Sequence, residues 1–310
     1  MEELTICKIC GEKVNKLNHF YRFHELTLAE YCIKYFDRKD LYDNSPIPFK
    51  NPDQYFSVDF VNKNNLKKYL SKSKDRAADY CKNLIRKRVL DKDLKYSPLQ
   101  IELVSLPCFP PIHYLSTLFD YYGFCEEIGL INKVKPMPPN FSIPTSEPLP
   151  ESHILIDSRE SQPLKFNIEY RVQKLKFGDY YFTGNPGLYF ERKSINDFLG
   201  TMSQGYDRFV KELDRASAAN AYLVMIIESK LSDVLSFNHL PWMKRVKTKA
   251  SPEFIFHQLR SLIQQFPNFQ PIFVEGRREA VEYMMKGFLS GDVFKQYDLQ
   301  LLYQLNKSKS

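Results

Sequence analysis

The sequence predicts an α/β protein whose C-terminal half holds the strands, preceded by a small Cys/His module and a mostly helical middle segment. Three observations predict this arrangement. From residue 153 onward, apolar strand-like runs alternate with stretches of helical periodicity. Two cysteines and two histidines lie within residues 7–24. In residues 63–95, lysines and arginines stand between apolar positions that recur at helical spacing.

The composition excludes several classes of protein. The chain has 310 residues, 43% hydrophobic and 26% charged, which suits one large domain or a few smaller ones and argues against a disordered chain. Only 11 residues are glycine, so a collagen-like protein is excluded. No apolar run approaches the roughly 18 residues that a membrane span needs. The acidic N-terminus is unlike a secretory signal. We therefore expect a cytoplasmic protein with no membrane partner.

The first module has the spacing of a zinc site, Cys7-x2-Cys10-x8-His19-x4-His24. Two thiolates on a tight knuckle and two imidazoles little more than one helical turn apart can surround a zinc ion as a tetrahedron. The alternative interpretation is two buried cysteines with two surface histidines. A further alternative is that the finger binds zinc but serves only a structural role and does not read DNA bases.

Residues 7–36 resemble the single zinc fingers of the Ros/MucR type, which occur at the N-termini of phage-encoded DNA enzymes. The similarity includes the Leu-Thr-x-x-Glu-Tyr helix start at residues 26–31. It implies a C2H2-type zinc finger that binds Zn²⁺, and a phage-encoded protein located in the host cytoplasm. Lys13, Lys16 and Arg22 lie on or beside the predicted helix and can contact DNA phosphates.

The middle segment combines the basic helix with residues 97–130, which predict short helices around a proline-rich turn. This part resembles the small helix-turn-helix repeats found alongside homing and phage endonucleases, which implies DNA binding. The alternative is that the basic helix simply presents a solvated face.

A β-hairpin in the C-terminal half carries the residues that can perform chemistry. Asp179 stands on one arm, and Glu191 and Lys193 stand on the other, beyond a turn at residues 183–187. Because side chains alternate along a strand, Glu191 and Lys193 share a face and Arg192 points to the opposite one. Two carboxylates and one ammonium that converge there suit a Mg²⁺- or Mn²⁺-dependent phosphodiesterase site.

The hairpin reproduces a longer signature, Gly178-Asp179 followed by Glu191-Arg192-Lys193-x3-Asp197, with Asp157-Ser158-Arg159-Glu160 upstream. This resembles the nuclease domain of the XPF/Hef family of structure-specific endonucleases, a branch of the PD-(D/E)XK superfamily. It implies a restriction-endonuclease-like mixed sheet flanked by helices.

The same resemblance implies roles for individual residues. Asp179 and Glu191 would bind the Mg²⁺ or Mn²⁺ ion, Lys193 would be the catalytic lysine, and Asp157 a third acid at the metal. Arg192 would be a further catalytic residue, with a structural ion pair to Glu160 or Asp157 as the alternative. The expected DNA-binding residues of this domain are Arg159 and Arg208.

We therefore expect a metal-dependent DNA endonuclease, structure-selective or nicking, acting on duplex or branched DNA that the N-terminal modules hold. A homodimer through the nuclease domain is compatible with the resemblance. The alternative is a catalytically silent DNA-binding protein, and action on RNA ranks last because no RNA-recognition signature is present. The expected domains are a zinc finger at 1–45, a basic helical DNA-binding segment at 46–135, a proline-rich linker at 136–152, the nuclease domain at 153–292, and a short helix with a disordered tail at 293–310.

Overall fold

A computed structural model describes residues 5–14, 19–26, 31, 34–35, 74–106, 109–239 and 250–307. The chain forms two compact units. Unit 1 comprises Met1–Ser97 and Leu106–Ile131, and unit 2 comprises Pro98–Ser105 and Asn132–Ser310. No helix within the described residues is both long enough and apolar enough to cross a membrane.

The N-terminal module of unit 1 is a two-stranded sheet followed by a helix. Strands β1 (Thr5–Ile6) and β2 (Lys13–Val14) are antiparallel, and helix α1 is His19–His24. The rings of Phe20 and Tyr31 are both fully buried and stack with 3.9 Å between centroids. A module this small has little apolar core, so the packing of these two rings is a large part of what holds it.

The other described parts of unit 1, within residues 74–97 and 109–131, are mainly helical, as the sequence predicts, and residues 36–73 lie outside the described part of the chain. Helix α2 is Lys74–Lys92; after α3 (Gln100–Val104), which belongs to unit 2, come α4 (Ile112–Leu118) and α5 (Tyr121–Glu127). Several basic side chains of α2 take part in the packing of the unit itself. The ammonium of Lys82 lies 5.2 Å from the ring centroid of Phe119, and the guanidinium of Arg86 lies 4.9 Å from that of Phe124. The segment expected as one helix-turn-helix is therefore divided, because α3 belongs to unit 2 and α4 and α5 belong to unit 1.

Unit 2 is built on a six-stranded mixed sheet, which confirms the α/β fold that the sequence predicts. The strand order is β4-β3-β5-β6-β7-β8. Strand β3 is parallel to β4 and antiparallel to β5, β5 and β6 are antiparallel, and β6, β7 and β8 are parallel. The strands are β3 (Ile154–Asp157), β4 (Tyr170–Gln173), β5 (Tyr180–Phe182), β6 (Leu188–Lys193), β7 (Tyr222–Ile227) and β8 (Phe269–Phe273).

Helices cover both faces of this sheet. They are α6 (Ile195–Thr201), α7 (Tyr206–Ala218), α8 (Leu231–Leu235), α9 (Pro252–Gln265), α10 (Arg277–Leu289) and α11 (Leu299–Lys307). Aromatic side chains of α6, α7 and α9 pack on one face of β8. Residues of α10 and α11 fill the core on the other face. Because β7 is covered from both sides, its residues 223–227 are all buried and apolar.

Two predicted boundaries do not separate parts of the fold. The proline-rich segment at 136–152 has neither helix nor strand, as expected for a connector. It is nevertheless joined to unit 2, because the Ser146 amide donates a 2.9 Å hydrogen bond to the carbonyl of Leu289. The region 293–310, expected as a short helix and tail, contributes Leu299 and Tyr303 of α11 to the core. Residues 308–310 and the proline-rich residues 44–52 lie outside the described part of the chain.

Candidate functional site

The predicted hairpin forms and brings Asp179 beside Glu191. Strands β5 and β6 pair in the register Tyr180↔Phe190, so Asp179, just before β5, comes opposite Glu191. Gly178 has φ +57°, and a Cβ there would lie 2.7 Å from the Phe190 carbonyl oxygen. Only glycine suits that position, because its backbone needs both the left-handed conformation and the close approach.

Backbone hydrogen bonds hold the Asp179 carboxylate in place. The amide of Asp179 donates to the Phe190 carbonyl at 2.7 Å, and the amide of Arg192 donates to Asp179 Oδ2 at 2.8 Å. Glu191 and Lys193 lie on the same face of β6, and their carboxylate and ammonium form an ion pair. The structure therefore brings together the three side chains on which the predicted chemistry depends.

The surroundings of Asp179 and Glu191 disfavour the ionised forms of these two acids. Burial, followed by the charge of Asp179, raises the pKa of Glu191 to about 8. Burial also raises the pKa of Asp179 to about 6, although the Arg192 amide and Lys193 oppose the shift. Burial alone would lower the pKa of Lys193, but the charges of Glu191 and Asp179 raise it above its ordinary value. Asp179 and Glu191 face only one cation, Lys193, so a further positive charge at the site would stabilise their ionised forms.

Asp157 lies at the end of β3, as predicted, but its carboxylate is hydrogen-bonded to neighbouring residues of the protein. Its two oxygens accept four hydrogen bonds, from the amide and two guanidinium nitrogens of Arg159 and from the amide of Leu175, at 2.7–3.0 Å. Burial on its own would raise the pKa of Asp157, yet these hydrogen bonds lower it to about 2. The described residues contain no group of three ligand atoms within 4.8 Å of one another that includes Asp157.

Arg192 points to the opposite face of β6, as strand alternation predicts. Its guanidinium donates to both carboxylate oxygens of Glu228, at 2.8 and 3.0 Å, and to Glu160 at 3.3 Å. The side chain is only 12% exposed. The structure therefore does not bring the Arg192 guanidinium to Glu191 and Lys193, and the predicted pairing with Glu160 is present. Asp197, the last acid of the signature, takes part in the N-terminal cap of α6, because its amide donates to Ser194 Oγ and its carboxylate accepts from the Ser194 hydroxyl.

The predicted DNA-binding residues lie in different parts of the chain. Arg159 and Arg208 are exposed in unit 2, and Arg208 borders a cavity that Lys193 also lines. Lys13 on β2 and Arg22 on α1 are exposed in the N-terminal module. Lys16 lies outside the described residues.

The four predicted zinc ligands form one group. All four ligand atoms lie within 4.8 Å of one another. The Cys7 Sγ to His24 Nε2 distance is 3.4 Å, and the Cys10 Sγ to His19 Nε2 distance is 3.5 Å. A tetrahedral zinc ion with ordinary Zn–S and Zn–N bond lengths would place sulfur and nitrogen about 3.6 Å apart. The arrangement fits such an ion, and the interpretation as separate buried cysteines and surface histidines does not describe this geometry.

Comparison with known proteins agrees with the signature of the hairpin. Residues 156–286 match the family model of the ERCC4 domain. This segment, which is less than half of the chain, is therefore similar to the ERCC4 domain, the nuclease-type domain of the XPF family. No curated protein sequence matches. Among solved structures, the chain is similar to XPF from Aeropyrum pernix at 15% identity and a TM-score of 0.32, over 44% of this chain. It spans 64% of the length of that XPF chain.

The segment that matches the ERCC4 model contains one acid near the site that the sequence did not point to. Glu212, on α7, accepts a 3.3 Å hydrogen bond from the amide of Gly178 through Oε1. Its negative charge contributes to raising the pKa of both Asp179 and Glu191. A signal was present in the sequence, because Glu212 stands three residues after Phe209, on the apolar side of an amphipathic helix. An acid in that position is expected to have a partner.

Proposed function

We propose that the chain is a metal-dependent DNA endonuclease that hydrolyses phosphodiester bonds, structure-selective or nicking. The observation that carries the proposal is the convergence of Asp179, Glu191 and Lys193 on one face of β6 within an ERCC4 domain. We also propose that the substrate is duplex or branched DNA and that cleavage requires Mg²⁺ or Mn²⁺.

The donor atoms of the site suit Mg²⁺ or Mn²⁺. Among the described residues, Asp179 Oδ1 and Glu191 Oε2 have no hydrogen-bond partner, so each acid keeps an oxygen for a cation. Mg²⁺ is commonly held by one or two carboxylates together with water and substrate phosphate. Bound there, the ion would polarise the scissile phosphate and lower the pKa of an attacking water. The two carboxylates would hold and orient it.

Lys193 would stabilise negative charge and would not act as a base. Its pKa is raised by the neighbouring Glu191 and Asp179, so the ammonium stays protonated at neutral pH. A fixed ammonium beside the reacting phosphate can offset charge that develops on the phosphate oxygens and can orient the attacking water.

Asp157 and Arg192 would contribute indirectly, because each holds neighbouring groups of the site in place. Asp157 anchors Arg159 and the amide of Leu175, and the Arg192 amide anchors Asp179. Metal binding by Asp157, which the resemblance implies, would require its carboxylate to give up some of these hydrogen bonds. Arg159 is left exposed beside the acids, where it can reach a DNA phosphate.

For the N-terminal module we propose a zinc finger in which Cys7, Cys10, His19 and His24 bind Zn²⁺. The support is the near-tetrahedral spacing of sulfur and nitrogen atoms. Exposed Lys13 and Arg22 would contact phosphates of DNA held for the nuclease domain.

The test is cleavage of a panel of labelled DNAs by the purified full-length chain. Duplex, nicked, flap, fork and Holliday-junction DNAs would each be incubated with Mg²⁺ or Mn²⁺. We expect cutting of at least one DNA, abolished by Asp179→Ala, Glu191→Ala or Lys193→Ala with binding largely kept. Asp214→Ala is the matched control, because Asp214 is an exposed acid of α7. If a variant that carries all three substitutions still cuts as well as the wild type, the site assignment is rejected.

The second candidate is a DNA-binding protein that uses the nuclease fold as a scaffold without catalysis. The basic residues of unit 1 and the exposed Arg159 favour DNA binding in either case. The presence of all three catalytic residues argues against a silent fold. Tight binding to branched DNA with no cutting under any metal would establish this alternative.

A further inference from the structure

A cavity of about 490 Å³ opens between α6 and α7, next to Lys193. Its lining residues come from the end of β6, from α6, and from the start of α7: Lys193, Asn196, Asp197, Gly200, Thr201, Gln204, Gly205 and Arg208. The cavity therefore lies on the same face of the sheet as the Glu191–Lys193 ion pair. Its volume falls within the range of about 300–1,000 Å³ usual for small-molecule sites. That is enough for part of one strand and too small for a duplex.

The lining offers hydrogen-bond donors that the protein does not use. The side chains of Asn196, Gln204 and Arg208 are exposed, and none makes a hydrogen bond or ion pair with another described residue. Asp197, the acid of the lining, is occupied by Ser194. Arg208 is thus a free cation and the two amides are free donors, which is the chemistry that recognises phosphate and sugar oxygens.

Two glycines keep the cavity open. A Cβ on Gly205 would lie 3.2 Å from the Gly200 carbonyl oxygen, so Gly205 allows α7 to begin close to the end of α6. A Cβ on Gly200 would meet nothing within 4 Å, so the space in front of Gly200 is empty. A larger side chain at Gly200 can therefore enter the cavity without displacing other atoms of the protein.

We propose that this cavity is a subsite for the cleaved DNA strand, which receives the sugar-phosphate unit adjoining the phosphate hydrolysed at Lys193. Arg208 binds the oxygens of that adjoining phosphate, and Asn196 and Gln204 donate hydrogen bonds to phosphate or sugar oxygens. The subsite rests on the proposed nuclease function and adds to it the path of the strand beyond the reacting bond.

The first test blocks the cavity or removes its cation in the full-length protein. Gly200→Leu fills the space, Arg208→Ala removes the charge, and Arg215→Ala is the control, an exposed arginine two turns further along α7. The probe is a fluorescein-labelled DNA that the wild type cuts, with Ca²⁺ for binding and Mg²⁺ for single-turnover cleavage. We expect Arg208→Ala to weaken binding about three- to tenfold and to lower the salt slope of log K by about 1. Gly200→Leu should weaken binding similarly and leave that slope unchanged, whereas Arg215→Ala should match the wild type.

The second test locates the phosphate that Arg208 contacts. A neutral methylphosphonate replaces one phosphate at a time along the cut strand. At the position adjoining the scissile bond, the methylphosphonate should weaken wild-type binding, and Arg208→Ala should add no further loss. Two results would overturn the subsite and leave the nuclease proposal standing. In the first, the losses of affinity caused by the methylphosphonate and by Arg208→Ala multiply at every position of the strand. In the second, Gly200→Leu and Arg208→Ala bind the DNA with wild-type affinity and still cut it. If the wild type cuts no DNA with either metal, the proposed function fails and the subsite with it.

Discussion

Replacing Asp157 by asparagine tests whether this acid anchors the site or binds metal. In the structure, the carboxylate accepts two guanidinium hydrogen bonds from Arg159 and two amide hydrogen bonds, from Arg159 and from Leu175. Asparagine keeps the shape but only one of its terminal groups accepts hydrogen bonds. Its amide nitrogen would face a donor on Arg159 or on Leu175, so at least one of these donors would lose its partner.

The magnitude follows from the pKa of Asp157. The pKa is lowered from 3.8 to about 2, and each pKa unit corresponds to 1.36 kcal/mol, so the ionised group stabilises the folded state by about 2 kcal/mol. Asp157 itself is buried, but the Arg159 side chain is 67% exposed, so water screens part of its charge. We therefore expect Asp157→Asn to lower the free energy of unfolding by about 1–2 kcal/mol at neutral pH.

The pH dependence has a defined sign. Because the folded-state pKa is depressed, the stabilisation is fully present above the unfolded value of about 4 and is lost as pH falls toward the folded value of about 2. The difference in stability between the wild type and Asp157→Asn should therefore shrink over that window. Urea unfolding followed by circular dichroism, at a series of pH values and with a chelator present, measures it. Asp214→Asn is the control, since Asp214 is exposed and makes no hydrogen bond or ion pair with a described residue.

One result would refute the reasoning. If Asp157→Asn unfolds at the same urea concentration as the wild type in chelator, the hydrogen bonds do not anchor the loop. If it is less stable only when Mg²⁺ is added to both proteins, Asp157 acts as a metal ligand, as the family resemblance implies.

Four further outcomes are expected from the same geometry. Elemental analysis should find about one zinc per chain, lost on Cys7→Ser, and a folded but metal-free N-terminal module would contradict the zinc site. Because the pKa values of Asp179 and Glu191 are raised to about 6 and about 8, Mg²⁺ must displace protons, so its uptake should tighten as pH rises through this range, with proton release in calorimetry. Glu212→Gln should shift that profile to lower pH, since one negative charge is removed, and an unshifted profile would place Glu212 outside the site. Arg192→Leu removes the cation that pairs with Glu160 and Glu228, whose side chains are only 8% and 10% exposed, and should cost about 3–5 kcal/mol in urea unfolding, whereas wild-type stability would show that this network is dispensable.

The hairpin could be predicted because its information is local. A turn at residues 183–187 and two flanking runs rich in aromatic residues indicate antiparallel pairing, and strand alternation then assigns Glu191 and Arg192 to opposite faces. Gly178 was part of the recognised motif, although its conformation became visible only in the structure. The four Cys/His residues were predictable for the same reason, since all lie within a span of 18 residues.

The partners of the charged residues could not be predicted in full. Arg192 was expected to be a catalytic residue, with an ion pair to Glu160 or Asp157 as the alternative. The structure shows the pair with Glu160, but the shorter hydrogen bonds go to Glu228, which follows β7, and local sequence does not reveal that β7 pairs with β6. Asp157 was expected to face a metal, whereas the turn after β3 folds Arg159 back onto it. Residues 293–310 were expected to form a short helix and a disordered tail, but the sequence did not indicate that this helix, α11, adds Leu299 and Tyr303 to the core beside β8.

The sequence by itself determined the two sets of donor groups, because short-range spacing and strand alternation decide which side chains can meet within a hairpin or a Cys/His module. Only the tertiary structure decided how those groups are charged and what surrounds them. Burial of Glu191, the approach of Glu212 and the cavity beside Lys193 all depend on α6 and α7 packing on the sheet. Such packing joins residues far apart in the chain, and the free energy of burying a charge depends on every neighbour at once.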